Sequence, residues 1–170
     1  MVLGLLGKRK SSHSELDLQL YKDKQRASHS LAIQGEDLIA SGNSEDAINC
    51  FETALKLNPS NDYAWGGKAL ALDYMKRYKE ALECYDKALG CNPNNAITWH
   101  NRGLTLASLQ MLKESIESFE RAIELNSNYA KAWYNKGRLL QKLGRIDDSQ
   151  QCLNTARKLD PSLFIKLKGR

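Results

Sequence analysis

Ala64-Trp65-Gly66-Gly67-Lys68-Ala69-Leu70-Ala71-Leu72 returns as Thr98-Trp99-His100-Asn101-Arg102-Gly103-Leu104-Thr105-Leu106, and again as Ala132-Trp133-Tyr134-Asn135-Lys136-Gly137-Arg138-Leu139-Leu140. The step is 34 residues each time, and other residue types keep it. Ala54, Ala88, Ala122 and Ala156 form one such series; Pro59 and Pro93 form another, with Pro161 two steps on and Ser127 in the skipped place. In each motif the aromatic, the small residue and the leucine are spaced by four and three, which keeps them on one face of a 3.6-residue helix. A period of this length shared by three residue types means a stack of helical hairpins.

The prolines set a frame of four repeats, 28–61, 62–95, 96–129 and 130–163, between a basic N-terminal segment 1–27 and a short basic tail 164–170. The first helix of each repeat carries Leu31/Trp65/Trp99/Trp133, Gly35/Ala69/Gly103/Gly137 and Leu38/Leu72/Leu106/Leu140. The second carries Ala47/Ala81/Ser115/Ser149, Phe51/Tyr85/Phe119/Leu153 and the alanine series. Gly42-Asn43-Ser44 and Gly144-Arg145 mark turns within hairpins. Asn58-Pro59, Asn92-Pro93 and Asp160-Pro161 end second helices, because a residue before proline is pushed out of the α region. Small residues let two helices approach, and the large series, tryptophans included, are expected to form the core between hairpins. One hairpin cannot bury that surface alone, so the repeats must stack. In the last repeat Gln150 and Arg157 replace apolar residues seven apart, giving the array a polar outer face.

These residues resemble the tetratricopeptide-repeat family, whose pattern is Trp-x2-Leu-Gly-x2-Tyr, then Ala-x3-Phe, then Pro, at this period. The resemblance covers 28–163 and recurs four times. It departs where the family's first Leu is Gln34, Lys68, Arg102 and Lys136, where Leu replaces Tyr, and where Leu31 replaces the first Trp. The resemblance implies an all-α fold, a right-handed superhelix (solenoid) of four hairpins whose first helices line a concave groove that binds peptides or protein segments. On that geometry the groove residues are Tyr63, Leu70, Tyr74, His100, Asn101, Leu104, Lys131, Tyr134, Asn135, Arg138 and Lys142. The family's carboxylate clamp, which holds a partner's C-terminal carboxylate, is matched at Asn101 and Lys131 only. Gly66, Leu70 and Asn135 stand in its other three places, so chaperone-tail binding in the usual form is not implied.

The formal charge of +5 is unevenly placed. Residues 1–27 hold six Lys/Arg against three acids, and 164–170 hold three and none, which leaves 28–163 at −1. The body is thus no polyanion-binding surface, and RNA binding through the tails is the alternative rather than the leading reading. Along the stack the repeats carry −4, 0, −1 and +4, a polarity able to orient an extended ligand or to drive head-to-tail self-association as a structural spacer. The segment Met1–Gly7 is apolar but short and precedes its charges, unlike a secretory signal. No run is long enough to span a membrane, so no membrane association is expected. Glu15 to Ala27 reads as helix or frayed helix, with Leu16 and Leu20 placed to cover the first repeat. Phe164-Ile165-Lys166-Leu167 could begin a covering helix.

Cys50, Cys84 and Cys152 share one repeat position and Cys91 takes a leucine place. They read as packing residues, too far apart for disulfides and without metal-ligand spacing, which fits a reducing cytoplasmic setting. His13, His29 and His100 have no triad partner, and Gly66-Gly67-Lys68 lacks the remainder of a phosphate loop. No enzyme, cofactor, metal or small-molecule substrate is expected. The reading is a scaffold that binds a protein segment carrying acidic and apolar residues.

Overall fold

The computed structural model describes the backbone of residues 3–168 and the side chains of 14–165. The readings made on the Met1–Gly7 side chains, on the cations that follow them and on Leu167 lie outside the described residues. Eight α-helices follow in order: α1 Leu3–Ala40, α2 Ser44–Leu57, α3 Asp62–Tyr74, α4 Tyr78–Cys91, α5 Ala96–Ser108, α6 Leu112–Leu125, α7 Ala130–Lys142 and α8 Ile146–Leu159. A 3-10 segment, Pro161–Lys168, ends the order, and the described residues contain no strand. Each helix packs on its neighbours in the chain, and α1, α3, α5 and α7 also touch one another in succession. That succession makes the first helices the inner wall of an all-α superhelix.

The hairpin turns are built alike. Gly42, Lys76, Gln110 and Gly144, one per repeat, all have positive φ, between 60° and 86°. In each, the next residue's N–H returns to a carbonyl five back, as in Arg77 to Leu72 at 2.9 Å and Met111 to Leu106 at 2.9 Å. This is the Schellman ending, which satisfies carbonyls that a helix C-terminus leaves open. The second helices end as expected at Asn58, Asn92 and Asp160, and that of the third repeat ends at Asn126. The side chain of each then accepts the backbone N–H two residues on, so Asn126 closes its turn without a following proline.

The core differs from expectation in one respect. Phe51, Tyr85 and Phe119 are fully enclosed, at 1 % exposure or less, whereas Trp65, Trp99 and Trp133 are only partly buried. Each indole Nε1 donates to the carbonyl six residues back, on Pro59, Pro93 or Ser127, at 2.8–2.9 Å. An indole has one polar hydrogen that needs a partner when dehydrated, and the loop before each first helix supplies it. The tryptophans therefore pin inter-repeat loops from the edge of the core, whose fully enclosed large apolar and aromatic side chains are Phe51, Tyr85, Phe119, Leu72, Leu106 and Leu140.

The departures at Lys68, Arg102 and Lys136 also acquire a reason. Lys68 pairs with Glu52 at 2.7 Å, Arg102 with Asp86 at 2.7 Å, and Lys136 with Glu120 at 2.9 Å. Each pair joins the second helix of one repeat to the first helix of the next, so the three form a ladder along the stack.

At the N-terminal end, α1 is one helix of 38 residues that passes position 28 without a break. Leu16 and Leu20 do not cover the first repeat; they are 72 % and 55 % exposed. At about 1.5 Å per residue, α1 outruns the 14-residue α2, and among the described residues none covers those positions. Ser28, the expected first residue of the array, is fully buried; its hydroxyl donates to the Ala54 carbonyl and accepts from Asn61, both at 2.8 Å. At the other end Phe164 meets Tyr134 edge-on, with ring centres 5.3 Å apart, and Arg157 lies 4.6 Å from the Phe164 centroid. Cys84 and Cys152 are buried packing residues, but Cys91 is exposed, a correction to its assignment as packing.

Candidate functional site

Three hollows follow one another along the inner wall. The first, of about 300 Å³, lies between α1, α3 and α5; it includes Tyr63, Leu70, Ile97 and Asn101 and is floored by Phe51 and Tyr85. Gly66 and Gly67 both line it; a β-carbon on Gly66 would meet nothing nearer than Thr98 Oγ1, at 3.9 Å. Phe51 rises against Gly67 from below, so that the glycine pair is both a packing notch and an opening. Glu36 and Asp62 give this end its negative charge, and Tyr63 donates to the Glu36 carboxylate across the α1–α3 junction. The second hollow, of about 290 Å³, lies over Asp73 and holds Leu70, Tyr74, Tyr78 and Leu104. The third, of about 450 Å³, contains Leu104, Asn135, Arg138 and Lys142. Leu70 belongs to the first and second, and Leu104 to the second and third. The three form one continuous track.

The structure brings Tyr63, Leu70, Tyr74, Asn101, Leu104, Asn135, Arg138 and Lys142 onto this track and sets three expected residues apart. His100 is 5 % exposed. Its ring packs on Phe119 and Tyr129, its Nδ1 lies 3.2 Å from Asn101 Oδ1, and its Nε2 lies 2.9 Å from Asn135 Nδ2. An amide nitrogen can only donate, so Nε2 accepts and Nδ1 carries the proton. Burial then holds this histidine below its ordinary pKa. His100 thus joins repeats three and four and is not a groove contact. Lys131 shares a helical face with Arg138 and Lys142 but not their hollow; it lies by the repeat-three loop with Tyr129 and Asp160. Tyr134 is partly buried under Phe164, and its hydroxyl accepts from Arg138 Nη1 at 3.2 Å.

Asp73, on the inner face of α3, also lines the track. Asp73 Oδ2 accepts from Tyr85 Oη at 3.0 Å and from Thr105 Oγ1 at 2.8 Å. Loss of hydration pushes its carboxyl above the usual range, against the pull of the two hydroxyls. A partial signal was present: the Asp73 place holds Ile39, Ala107 and Gln141 in the other repeats, the Tyr85 place Phe51, Phe119 and Leu153, and the Thr105 place Asp37, Ala71 and Leu139. Three polar side chains, scattered in sequence, meet in space.

Among the described residues no group of His, Cys, Asp and Glu could hold a metal ion. No described helix is long and apolar enough to cross a membrane.

Family profiles described as tetratricopeptide repeat match residues 34–96, 96–129 and 118–151. The chain belongs to the tetratricopeptide-repeat family. No curated protein matches the sequence. Solved structures do. MamA (residues 41 to the end) from Desulfovibrio magneticus RS-1 is 21% identical, covers 94% of this chain and 92% of its own, and superposes with a TM-score of 0.72. PilF of Pseudomonas aeruginosa is 21% identical with a TM-score of 0.77, over 82% of this chain and 64% of that one. The first TPR of Spaghetti (RPAP3), bound to the HSP90 peptide SRMEEVD, is 23% identical with a TM-score of 0.69, over 71% and 95%. At such identities the likeness is one of fold.

Proposed function

We propose that this protein is a non-catalytic adaptor that holds an extended segment of a partner protein along the concave track. The observation that carries the reading is continuity. Hollows joined at Leu70 and Leu104 run from the acidic first repeat to the basic last one. Apolar side chains suit the first hollow, and acidic residues of the segment would lie by Arg138 and Lys142 in the third. The peptide-bound RPAP3 domain supports segment binding on this fold. Its mode does not transfer directly, since Gly66, Leu70 and Asn135 occupy three of the five clamp places. The thiols suit a cytoplasmic setting, which belongs to the same proposal.

The test is a displayed library of random peptides selected on the full chain. Changing Arg138 and Lys142 together to Glu should weaken the selected peptides at least tenfold and leave the helical spectrum unchanged. The control pair is Lys79 and Lys113, exposed on the outer helices; Lys87 is unsuitable because it lies over Trp65 at 4.6 Å. Equal loss from both pairs, or none from the inner pair, would overturn the reading.

A further inference from the structure

Asp73 lies in the last turn of α3, under the middle hollow. Its hydrogen bonds come from two neutral hydroxyls, with Thr105 Oγ1 shared between Oδ2 at 2.8 Å, Oδ1 at 3.0 Å and the Asn101 carbonyl at 3.1 Å. No described cation pairs with it. A partly dehydrated carboxylate without a counter-ion is costly to maintain, and here the fold does not require it. Repeats one and three build the same hairpin with Ile39 and Ala107 at this place. Charges kept under such conditions tend to mark sites of function.

The surroundings say what would neutralise it. Oδ1 carries only the shared Thr105 bond and has acceptor capacity left. Tyr74, 64 % exposed, and Tyr78 line the same hollow, and aromatic faces attract cations. Leu70 and Leu104 lie along it, the surface over which a lysine or arginine stem packs while its head seeks charge.

We propose that the middle hollow takes a lysine or arginine side chain of the bound segment, with Asp73 as its counter-ion. This rests on the groove reading above and adds the order of the ligand. An apolar residue enters the glycine notch, a basic residue follows at Asp73, and acidic residues lie toward Arg138 and Lys142. A protein segment is the source because the hollow opens at Leu70 and Leu104 into its two neighbours, which a free amine would leave empty.

Peptides selected on the full chain should carry Lys or Arg next to an apolar residue. Replacing that basic residue by norleucine, which keeps a four-carbon stem, should weaken binding to the wild type at least tenfold. The same replacement should change binding to Asp73→Asn less than twofold; its amide oxygen still accepts from Tyr85 and Thr105, and circular dichroism checks its fold. Selected peptides without a basic residue, or a wild-type loss under tenfold, would overturn the proposal even if the asparagine variant failed to fold. An equal norleucine effect on both proteins would do the same. In all these cases the groove reading stands, provided that Leu104→Asp abolishes binding. Binding indifferent to Leu104→Asp would remove the groove reading itself. Displacement of the peptide by micromolar n-butylamine would assign the hollow to free amines and overturn the protein source.

Discussion

The ring of Phe51 lies against the backbone of Gly67 in the following repeat, where a β-carbon would stand 2.4 Å from two ring carbons. The same ring meets Gly35 of its own repeat, with 2.7 Å left for a β-carbon there. Phe51 is thus clasped between two glycines, and that clasp sets the spacing of the first two hairpins.

Gly67→Ala should therefore destabilise the protein by about 1–3 kcal/mol, the usual range for overpacking a filled core. Gly66→Ala is the contrast. Its β-carbon would meet nothing nearer than Thr98 Oγ1 at 3.9 Å, and removing a helical glycine recovers up to ~1 kcal/mol. Urea denaturation of the two variants should move midpoints in opposite directions, and movement the same way would disprove the clasp.

Lys76 pays for a turn that glycine makes freely, having φ 60° with a side chain. Lys76→Gly should stabilise by about 0.5–1 kcal/mol, and Gly144→Ala, at φ 76°, should lose a similar amount. Thermal melts of both, compared with the wild type, check the sign at each turn.

The inter-repeat ladder predicts a salt- and acid-sensitive increment. Lys68 holds the Glu52 carboxyl below its usual range, first by a hydrogen bond and then by charge. A depressed carboxyl contributes stability above its unfolded pKa of about 4.3, and the contribution is lost as pH falls through the folded value. Because the carboxylates are near half exposed, each pair is worth only ~0.2–1 kcal/mol. Glu52→Gln should lower the urea midpoint at pH 7 with a deficit that shrinks at pH 3, and the combined change Glu52→Gln, Asp86→Asn, Glu120→Gln should show a larger deficit at pH 7 that shrinks in 1 M salt. A deficit constant across these conditions would mean that the ladder acts by packing alone.

His100 predicts a second pH effect with its own window. The folded state holds its pKa low, mainly by burial, with a smaller push from Lys131. The unfolded chain takes up the proton near pH 6.5, so stability is full above that value and falls as pH drops below it. Protonation would also aim an N–H of Nε2 at the Asn135 amide nitrogen, 2.9 Å away. Between pH 7 and 5, where most carboxylates stay ionised, the wild type should lose more stability than His100→Gln. An imidazole titration by nitrogen-detected NMR should place His100 below an ordinary histidine. Equal losses would show that the pair does not couple to folding.

Much of this protein follows from its sequence alone, because a 34-residue period and a 3.6-residue helical face are local properties of the chain. They determined eight helices and the hairpin frame, with turns marked in the first and last repeats; the family resemblance then implied which helices face inward and that Tyr63, Leu70, Tyr74 and Leu104 would share a wall. What a neighbouring repeat does to a side chain is not local. Asn135 reaches His100 from the next repeat while Tyr129 packs on it from the intervening loop, Phe164 returns to Tyr134, and loop carbonyls hold the indole N–H groups at the edge of the core. Lys131 and Lys142 share a face in sequence yet stand about 16 Å apart along α7 at ~1.5 Å per residue, enough to place them at different hollows. Asp73, Tyr85 and Thr105 are separate irregularities in the period until α3, α4 and α5 pack and make them one site. Periodicity assigns a residue to a face; only the packed neighbours decide whether that face is covered, paired or left open to a ligand.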